Sequence, residues 1–531
     1  MICTNCRQQF KVQAWDKAYY KKQEVPEPTL CPDCRLQRRL IWRNLKSIYK
    51  RKCDLCEKEV IGIFSADKQL KVYCRDCYYS DKWDDLEYGQ DFDFNKTFTE
   101  QYQQLLKKIP HVATYNEDPV NSDYVNFCYR VKNNYLSFGT DETEDCAYCL
   151  TSFKCNQTYN SYFASELELS SFCINCCHSY NLHYSQECYD MQDSYYCYDC
   201  RNCHHCFGSA GLRNKSYYIY DEKVSEEEWN EKVPEILNDN QTEDLYTDAR
   251  KNWLKIPRRA NTIIKSENST GDHLTNCKNA FNCYDSNELE NCKNVIHCSV
   301  PTGKDLMDVN DSGAGVELSY EFIIGYGYHL KFCALCYQGA SELEYCYSVF
   351  GSKDCFGCAS IKKRQYCILN KQYNKEEYYK MREKIIKHMM KTGEWGEFFD
   401  KSLSPFNYNE TVADDVFPLN KNQIIEQGFK YREPDDIVRG QENTAQNIHK
   451  CKTCSRLYKI IKQEIEFASR VSLPLPVECP SCRFQFLLRQ RNFYKIWERK
   501  CAKCDRDIKT TYSPEQPEII YCEDCYKKGI Y

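Results

Sequence analysis

Cysteine pairs at both ends of the chain have the spacing of metal ligands. The two cysteines of each pair are separated by two residues, so one tight turn can direct both thiolates at a single ion, and four thiolates satisfy a tetrahedral zinc. Every pair near the start recurs 448 positions later. The predicted ligands are Cys3, Cys6, Cys31, Cys34, Cys53, Cys56, Cys74, Cys77, Cys451, Cys454, Cys479, Cys482, Cys501, Cys504, Cys522 and Cys525. Two Zn²⁺ sites are therefore expected at each end, four ions in all.

The ligands of each end are expected to pair in sequence order. Cys3, Cys6, Cys31 and Cys34 would then hold one ion, and the next four cysteines would hold the second. An interleaved pairing of the RING type uses the same residues, and the spacing leaves both arrangements open.

Short elements must position these ligands. Leu36, Leu40, Ile41, Leu45 and Ile48 follow helical spacing, which predicts an amphipathic helix between the two zinc sites of the first end. The segments "KQLKVYC" and "PEIIYC" are typical of short strands that lead into the last ligand pair of each end. The two ends are homologous modules, because "CPDCRLQRRLIWRNLKSIYKRKC" aligns with "CPSCRFQFLLRQRNFYKIWERKC" without a gap.

The middle of the chain is also duplicated, with an offset of 149 residues. The segment "CFGSAGLRNKSYYIYDEKVSEEEW" matches "CFGCASIKKRQYCILNKQYNKEEY", and each copy ends in a helix with a capping signal, Ser225 with Glu228 and Asn374 with Glu377. Cysteines recur at nine-residue spacing inside each copy, as at Cys188, Cys197 and Cys206. This rhythm favours an irregular parallel β-solenoid with about 18 residues per coil.

The predicted fold class is β-rich α+β, with a duplicated β-solenoid-like centre flanked by two homologous double-zinc modules. The predicted order of segments is a zinc module (1–80), a connector with a helix (81–120), repeat 1 (121–231), a connector (232–268), repeat 2 with its terminal helix (269–392), a connector (393–448) and a second zinc module (449–531).

The sharpest central motif is Cys197-x2-Cys200-x2-Cys203-x2-Cys206, and its last gap holds two possible nitrogen ligands, His204 and His205. It could ligate zinc or an iron–sulfur cluster, or it could be a ladder of buried thiols, since free cysteine behaves as a small hydrophobe. The duplicate keeps only two of the four cysteines, which a metal site would not tolerate. The structural interpretation is therefore favoured.

Charge is distributed unevenly along the chain. Residues 1–80 carry 17 Lys+Arg against 9 Asp+Glu, and residues 449–531 carry 17 against 10, so the middle must carry −20 to reach the net charge of −5. No long apolar run that could span a membrane is present. Because Cys3 is already a predicted ligand, no room is expected for a signal peptide, and a cytoplasmic, reducing location is expected.

The chain resembles an uncharacterised family of Cys-rich proteins associated with reduced-genome bacteria. The motifs that carry this resemblance over nearly the whole chain are "CPDCR…RRLIWRN", "YKRKCD", "YCRDCYYSDKWD", "YGQDFDF", "LRNKSYYIYD" and "GEWGEFF…SPFNYNET". The resemblance implies no function. Each end is also similar to zinc ribbons and treble-clef modules, which commonly bind nucleic acid or protein and often serve as structural clips.

Two functions are consistent with these features. The first is a non-enzymatic zinc protein whose basic modules bind RNA, for example ribosomal RNA, because guanidinium groups fit phosphate. The expected contacts are Arg35, Arg39, Arg43, Arg51, Lys52, Arg483, Arg491, Arg499 and Lys500. The alternative is a protein–protein or self-assembling scaffold in which the zinc modules cap the solenoid. The sequence contains no motif for a phosphate cradle, a nucleophile elbow or a metalloprotease helix, so we expect neither an enzyme nor a small-molecule substrate.

Overall fold

The chain folds into two units, each assembled from segments that are distant in sequence. The computed structural model describes residues 1–239, 241–298, 303–313, 315–433 and 448–530. Unit 1 comprises Met1–Ala113, Asn261–Arg432 and Tyr494–Ile496, and unit 2 comprises Thr114–Ala260, Glu433–Phe493 and Trp497–Tyr531. Each terminal module therefore shares a unit with the repeat that is not its neighbour in sequence.

The helices of the described residues lie in the terminal modules, at the ends of the repeats and in the connectors. They are α1 (Ala14–Lys22), α2 (Pro32–Leu40), α3 (Arg75–Tyr78), α4 (Phe98–Lys108), α5 (Glu226–Asp239), α6 (Thr242–Trp253), α7 (Lys375–Thr392), α8 (Val412–Val416), α9 (Lys421–Glu426), α10 (Lys462–Arg470), α11 (Pro480–Arg489) and α12 (Glu523–Ile530), with 3₁₀ turns at Asp85–Tyr88, Lys401–Leu403 and Tyr408–Glu410. Within the described residues, none of these helices combines the length and apolar character that a membrane crossing requires.

Most strands are short and belong to two large sheets. The strands of the first module and of unit 2 up to its hairpin are β1 (Tyr49–Lys52), β2 (Glu59–Gly62), β3 (Val72–Tyr73), β4 (His111–Val112), β5 (Val125–Asn126), β6 (Ser137–Phe138), β7 (Leu150–Phe153), β8 (Tyr162–Glu168), β9 (Cys177–His183), β10 (Tyr189–Tyr195), β11 (Arg201–Phe207), β12 (Ser216–Ile219) and β13 (Glu222–Lys223). The others are β14 (Arg258–Arg259), β15 (Ile263–Ile264), β16 (Gly271–Thr275), β17 (Lys278–Phe281), β18 (Cys283–Asn287), β19 (Leu289–Cys298), β20 (Gly303–Lys304), β21 (Met307–Ser312), β22 (Tyr320–Glu344), β23 (Tyr347–Phe350), β24 (Lys353–Phe356), β25 (Gln365–Ile368), β26 (Lys371–Gln372), β27 (Ile448–Lys450), β28 (Leu457–Lys459), β29 (Trp497–Lys500), β30 (Asp507–Thr510) and β31 (Ile520–Tyr521).

The sheet of unit 2 has a strictly regular register. Strands β5 to β12 follow one another in sequence order and pair in parallel, and only β13 is antiparallel. Consecutive parallel strands are offset by 12 residues, as in Tyr189↔Arg201 and Leu150↔Tyr162. The expected 18-residue repeat is therefore wrong.

The 12-residue offset is built from steps of three residues. From Val125 to Ser209 every third side chain points inward, and none of these side chains is more than 5 % exposed. From Cys128 onward the residue just before each inward position has a positive φ, as at Phe127 and Arg130, so the chain turns after every three residues. The nine-residue cysteine spacing is three of these steps, which explains why counting cysteines alone gave the wrong period.

The inward side chains are small and hydrogen-bond to the backbone. The hydroxyl of Ser185 donates to the carbonyl of His183 and accepts the backbone N–H of Cys197 on the next strand level. The Cys197 thiol lies 3.4 Å from the carbonyls of Tyr195 and Cys206, to which it can donate. Thiols and hydroxyls therefore fill the interior and also satisfy backbone groups that would otherwise be buried without partners.

The sheet of unit 1 follows the same plan less regularly. Its parallel offsets are 11 residues at Ile263↔Leu274, 12 at Gly271↔Cys283, 14 at Lys293↔Met307 and 13 at Met307↔Tyr320. The buried residues along its axis are again mostly Cys, Leu, Val and Ala. The fold is thus β-rich α+β with two large, mainly parallel sheets.

The duplicated segments end in the same way. In each unit the last parallel strand is followed by an antiparallel hairpin and a helix: β12, β13 and α5 in unit 2, and β25, β26 and α7 in unit 1. Both predicted capping boxes are present, Ser225 with Glu228 and Asn374 with Glu377. A hairpin, rather than a zinc module, therefore follows the last parallel strand of each sheet.

Two local expectations changed in the structure. The helix between the zinc sites ends at Leu40, and the predicted helical residues Leu45 and Ile48 are buried in a following loop. The side chain of Asn44 accepts the Ser47 N–H and donates to the Ser47 and Ile63 carbonyls, which stabilises that loop. The end of the predicted 81–120 connector already pairs with the sheet, through Glu117↔Tyr129 and Val120↔Lys132.

Removing one inward hydroxyl tests the hydrogen-bonded interior. Ser185→Ala leaves the buried Cys197 N–H without its acceptor, so we expect the free energy of unfolding to fall by about 1–3 kcal/mol. Gln192→Ala on the exposed side of the same sheet is the control and should change stability by less than about 0.5 kcal/mol. Urea unfolding followed by circular dichroism measures both, and equal effects would contradict the assignment.

A buried ion pair predicts an acid-sensitive contact between sheet and helix in unit 1. Burial opposes ionisation of Glu344, but Lys331 at 2.7 Å and Arg382 on α7 lower its pKa to about 2. This pKa lies below that of a glutamate in the unfolded chain, which is about 4.3. Ionised Glu344 therefore stabilises the fold above about pH 4.3, and the stabilisation is lost as the pH falls from about 4.3 towards 2. Glu344→Gln should flatten this part of the stability–pH curve, whereas exposed Glu376→Gln should not.

Candidate metal centres

Four cysteine quartets, two at each end, bring their sulfurs together. They are Cys3/Cys6/Cys31/Cys34, Cys53/Cys56/Cys74/Cys77, Cys451/Cys454/Cys479/Cys482 and Cys501/Cys504/Cys522/Cys525, with all sulfurs of a quartet within 4.8 Å of one another. These are the groups formed by pairing in sequence order. We name them quartets 1 to 4 in chain order.

The sulfur separations suit a tetrahedral ion. The Sγ atoms of the second and third cysteines are 3.7 Å apart in quartet 1, 3.9 Å in quartet 2, 3.6 Å in quartet 3 and 3.8 Å in quartet 4. Zinc–sulfur bonds of about 2.3 Å in a regular tetrahedron place the sulfurs about 3.8 Å apart. Each quartet could therefore hold a metal ion without rearrangement.

The first two ligands of every quartet lie on the same tight hairpin. In quartet 1 the Arg7 N–H donates to the Cys3 carbonyl and the Cys3 N–H donates to the Gln8 carbonyl. The residue after the second cysteine takes a left-handed conformation in all four hairpins, at Arg7, Glu57, Ser455 and Asp505. This turn aims both thiols at one point.

The last two ligands of every quartet lie at a helix start. Cys31 caps α2 and Cys479 caps α11, each followed by proline in the first turn. Cys74 caps α3, and Cys522 directly precedes α12. The partial positive charge of a helix N-terminus favours thiolates there. A hairpin followed by a helix start is therefore the arrangement common to all four quartets.

One backbone hydrogen bond recurs in every quartet and links its two halves. The N–H of the third cysteine donates to the sulfur of the first, from Cys31 to Cys3, Cys74 to Cys53, Cys479 to Cys451 and Cys522 to Cys501, at 3.2–3.3 Å. Hydrogen bonds of this kind stabilise charged sulfur ligands and orient them. The same geometry at both ends agrees with the homology of the two modules.

The central cysteines have a different environment. Among the described residues, only quartets 1 to 4 bring three or more possible ligand atoms within 4.8 Å. The thiols of Cys197, Cys200, Cys203 and Cys206 lie within 3.2–3.7 Å of backbone carbonyls and are buried. His204 and His205 place their Nδ1 atoms 3.1 Å apart on a more open surface. The structural interpretation of the central motif agrees with this environment.

The arginines of the first module are packed against carboxylates of unit 1. Arg35 and Arg39 are 2 % and 1 % exposed. Asp308 is 2.7 Å from Arg35, and Asp311 pairs with Arg43. Arg51 donates to Asp54 and to backbone carbonyls within the module. These guanidinium groups are therefore already paired with partners within the protein.

Arg38 of α2 completes this network. It contacts Glu321 at 3.1 Å and Glu397 at 2.8 Å. Burial raises the pKa of Glu397, but the charge of Arg38 and the hydrogen bonds from Thr29 hold that pKa below its ordinary value. Ionised Glu397 therefore forms an ion pair with Arg38, in addition to the pair between Arg38 and Glu321.

The second module uses its basic residues differently. Arg483 is 1 % exposed, lies 2.5 Å from Glu464 of the same module and stacks over Tyr148 at 4.1 Å. Arg491 lies over the Phe163 ring at 4.0 Å. Arg499 donates to the carbonyls of Ser513 and Glu518.

Two lysines of the predicted RNA contacts are exposed. Lys52 projects from the solvent face of β1, and Lys500 forms an exposed pair with Asp507 at 2.8 Å. The acidic partners Asp308 and Glu321 were missed by the sequence analysis, because they lie more than 270 residues from α2 and no local motif marks them.

Comparisons with known proteins do not place this chain in a family. No family model matches the chain, and no curated protein matches it either. A solved chain from Desulfovibrio desulfuricans G20, described as a "putative acetyltransferase", is 12 % identical and covers 49 % of this chain and 68 % of that chain with a TM-score of 0.09. A likeness this weak carries no argument about fold or activity. The chain's own geometry shows cysteine quartets at both ends compatible with zinc-ribbon-like modules.

Single substitutions test the quartets. Cys53→Ser and Cys501→Ser should each lower the metal content by one ion per chain, because each removes one of the four thiolates that a closed zinc site needs. Structural zinc contributes on the order of 10 kcal/mol to local folding. Cys197→Ser in the central ladder is the matched control and should leave the metal content unchanged. Elemental analysis of purified protein measures this, and unchanged content in Cys53→Ser would remove that residue from the ligands.

Proposed function

We propose that the protein is a non-enzymatic, zinc-dependent interaction scaffold, in which four Zn²⁺ ions hold the terminal modules in shape. The sulfur separations of 3.6–3.9 Å carry this proposal, because they fit a closed four-thiolate zinc site, which is the structural rather than the catalytic type. The thiols would stay metal-bound in a reducing cytoplasm.

We further propose that each large sheet belongs to an irregular β-solenoid with 12 residues per coil, arranged as four sides of three residues. The constant register of unit 2 and its positive φ angle at every third residue support this. A solenoid presents the same side chain position at every level, which makes an extended recognition surface. In unit 2 the rings of Phe153 and Tyr180, which are 39 % and 40 % exposed, lie on neighbouring sides of the proposed coil.

The placement of the basic residues favours a scaffold over RNA binding through the predicted arginine contacts. Arg35, Arg39 and Arg483 are buried against carboxylates and aromatic rings, so they support the shape of the modules rather than an accessible phosphate site. Binding of RNA would have to use exposed residues such as Lys52 and Lys500. The partner of the scaffold is proposed to be another protein or a second copy of this chain.

The proposal is tested by metal analysis followed by a binding comparison. X-ray absorption of the purified protein should show zinc with four sulfur ligands at about 2.3 Å. Phe153→Ser/Tyr180→Ser should abolish a stoichiometric protein contact or self-association, whereas Lys52→Glu/Lys500→Glu should leave it unchanged. Nucleic acid that copurifies, washes off in salt and is lost only in the lysine variant would favour RNA binding instead.

A further inference from the structure

Helix α2 is both part of quartet 1 and the docking element of the first module. Cys31 caps its first turn and Cys34 lies within that turn. Arg35, Arg38 and Arg39 follow directly on the same nine-residue helix. Because a helix is stiff over this length, the position of the two thiolates fixes the position of the three guanidinium groups.

The three arginines meet carboxylates that have no access to water. Asp308 and Glu321 have fully buried side chains. Arg35 donates to Asp308 at 3.0 Å, Arg38 donates to Glu321 at 3.1 Å, and Arg39 lies 3.5–3.6 Å from both carboxylates. A buried carboxylate left without its cation is strongly unfavourable, so α2 can leave the sheet only if water enters to solvate both sides.

The second module has the same framework but keeps only the first of the three arginines, as Arg483, which donates to Asn160 of the sheet and pairs with Glu464 of its own module. Positions 448 residues after Arg38 and Arg39 are Phe486 and Leu487. Phe486 packs against Tyr246 with ring centroids 5.2 Å apart, and Leu487 is fully buried. Phe467 of the same module stacks on Tyr159 at 4.2 Å. An apolar contact of this kind needs less exact geometry than a buried ion-pair network.

We propose that quartet 1 and the arginines of α2 form a metal-operated latch on the sheet of unit 1. Metal at quartet 1 holds α2 in register with Asp308 and Glu321. Loss of that metal frees the first turn of α2, the ion pairs separate, and water reaches the two carboxylates. The second module remains docked on its aromatic contacts when quartet 3 loses its metal. The latch rests on the proposed function, since it requires that quartet 1 binds zinc.

Hydrogen exchange in a matched pair of variants tests the latch. Cys31→Ser removes a ligand of quartet 1, and Cys479→Ser removes the equivalent ligand of quartet 3. Amides of α2 and of β21 should exchange about tenfold faster or more in Cys31→Ser than in the wild type, because docking is lost. Amides of β8, beside the second module, should change less than about twofold in Cys479→Ser. Equal responses of the two ends, or an unchanged β21 in Cys31→Ser, would overturn the latch.

A second variant keeps the test decisive if Cys31→Ser does not fold. Asp308→Asn should retain its metal but release α2 at a lower concentration of a zinc chelator than the wild type does, as measured by exchange of the same amides. Glu464→Gln, in the second module, is the control and should not shift this concentration for α2. If Asp308→Asn releases α2 at the same chelator concentration as the wild type, the latch is also overturned. Wild-type protein without bound metal would instead remove the proposed function itself.

Discussion

Both large sheets are held together by inward side chains that fill the interior and also form hydrogen bonds to the backbone. In unit 2 every third residue turns inward, where side chains must fit a narrow interior and several of them must also pair with buried backbone groups. Serine and cysteine meet both requirements, as Ser185 and Cys197 show. This explains why the chain carries 38 cysteines, and why those outside the quartets are mostly buried.

The sixteen terminal cysteines do different physical work from the central ones, although the residue type is the same. In the quartets four sulfurs converge at the edge lengths of a tetrahedron, whereas in the sheets each thiol lies against backbone carbonyls. The two homologous modules then attach by different forces. The first uses buried ion pairs from Arg35, Arg38 and Arg39, and the second uses rings such as Phe467 and Phe486. Duplication thus preserved the metal framework while the docking surfaces diverged.

Local patterns predicted local features well. The quartets, the capping boxes at Ser225 and Asn374, and the strands before Cys74 and Cys522 follow from residues close together in sequence. The helix after Cys34 was predicted too long, because apolar spacing continues to Ile48 while Asn44 stabilises a loop instead. The repeat period was also predicted wrongly, since cysteine, serine, threonine and leucine share the inward positions of unit 2 and the step of three residues appears only when they are counted together.

The sequence by itself determined which sulfurs share a turn, where helices begin, and that ends and repeats are duplicated, because these depend on neighbours within a few residues. Tertiary structure alone decided that the first module shares a unit with the second repeat, and that Arg35 and Arg39 face Asp308 and Glu321. Those contacts join residues more than 270 positions apart. Guanidinium groups attract phosphate and buried carboxylate alike, so only the folded chain could show which partner they meet.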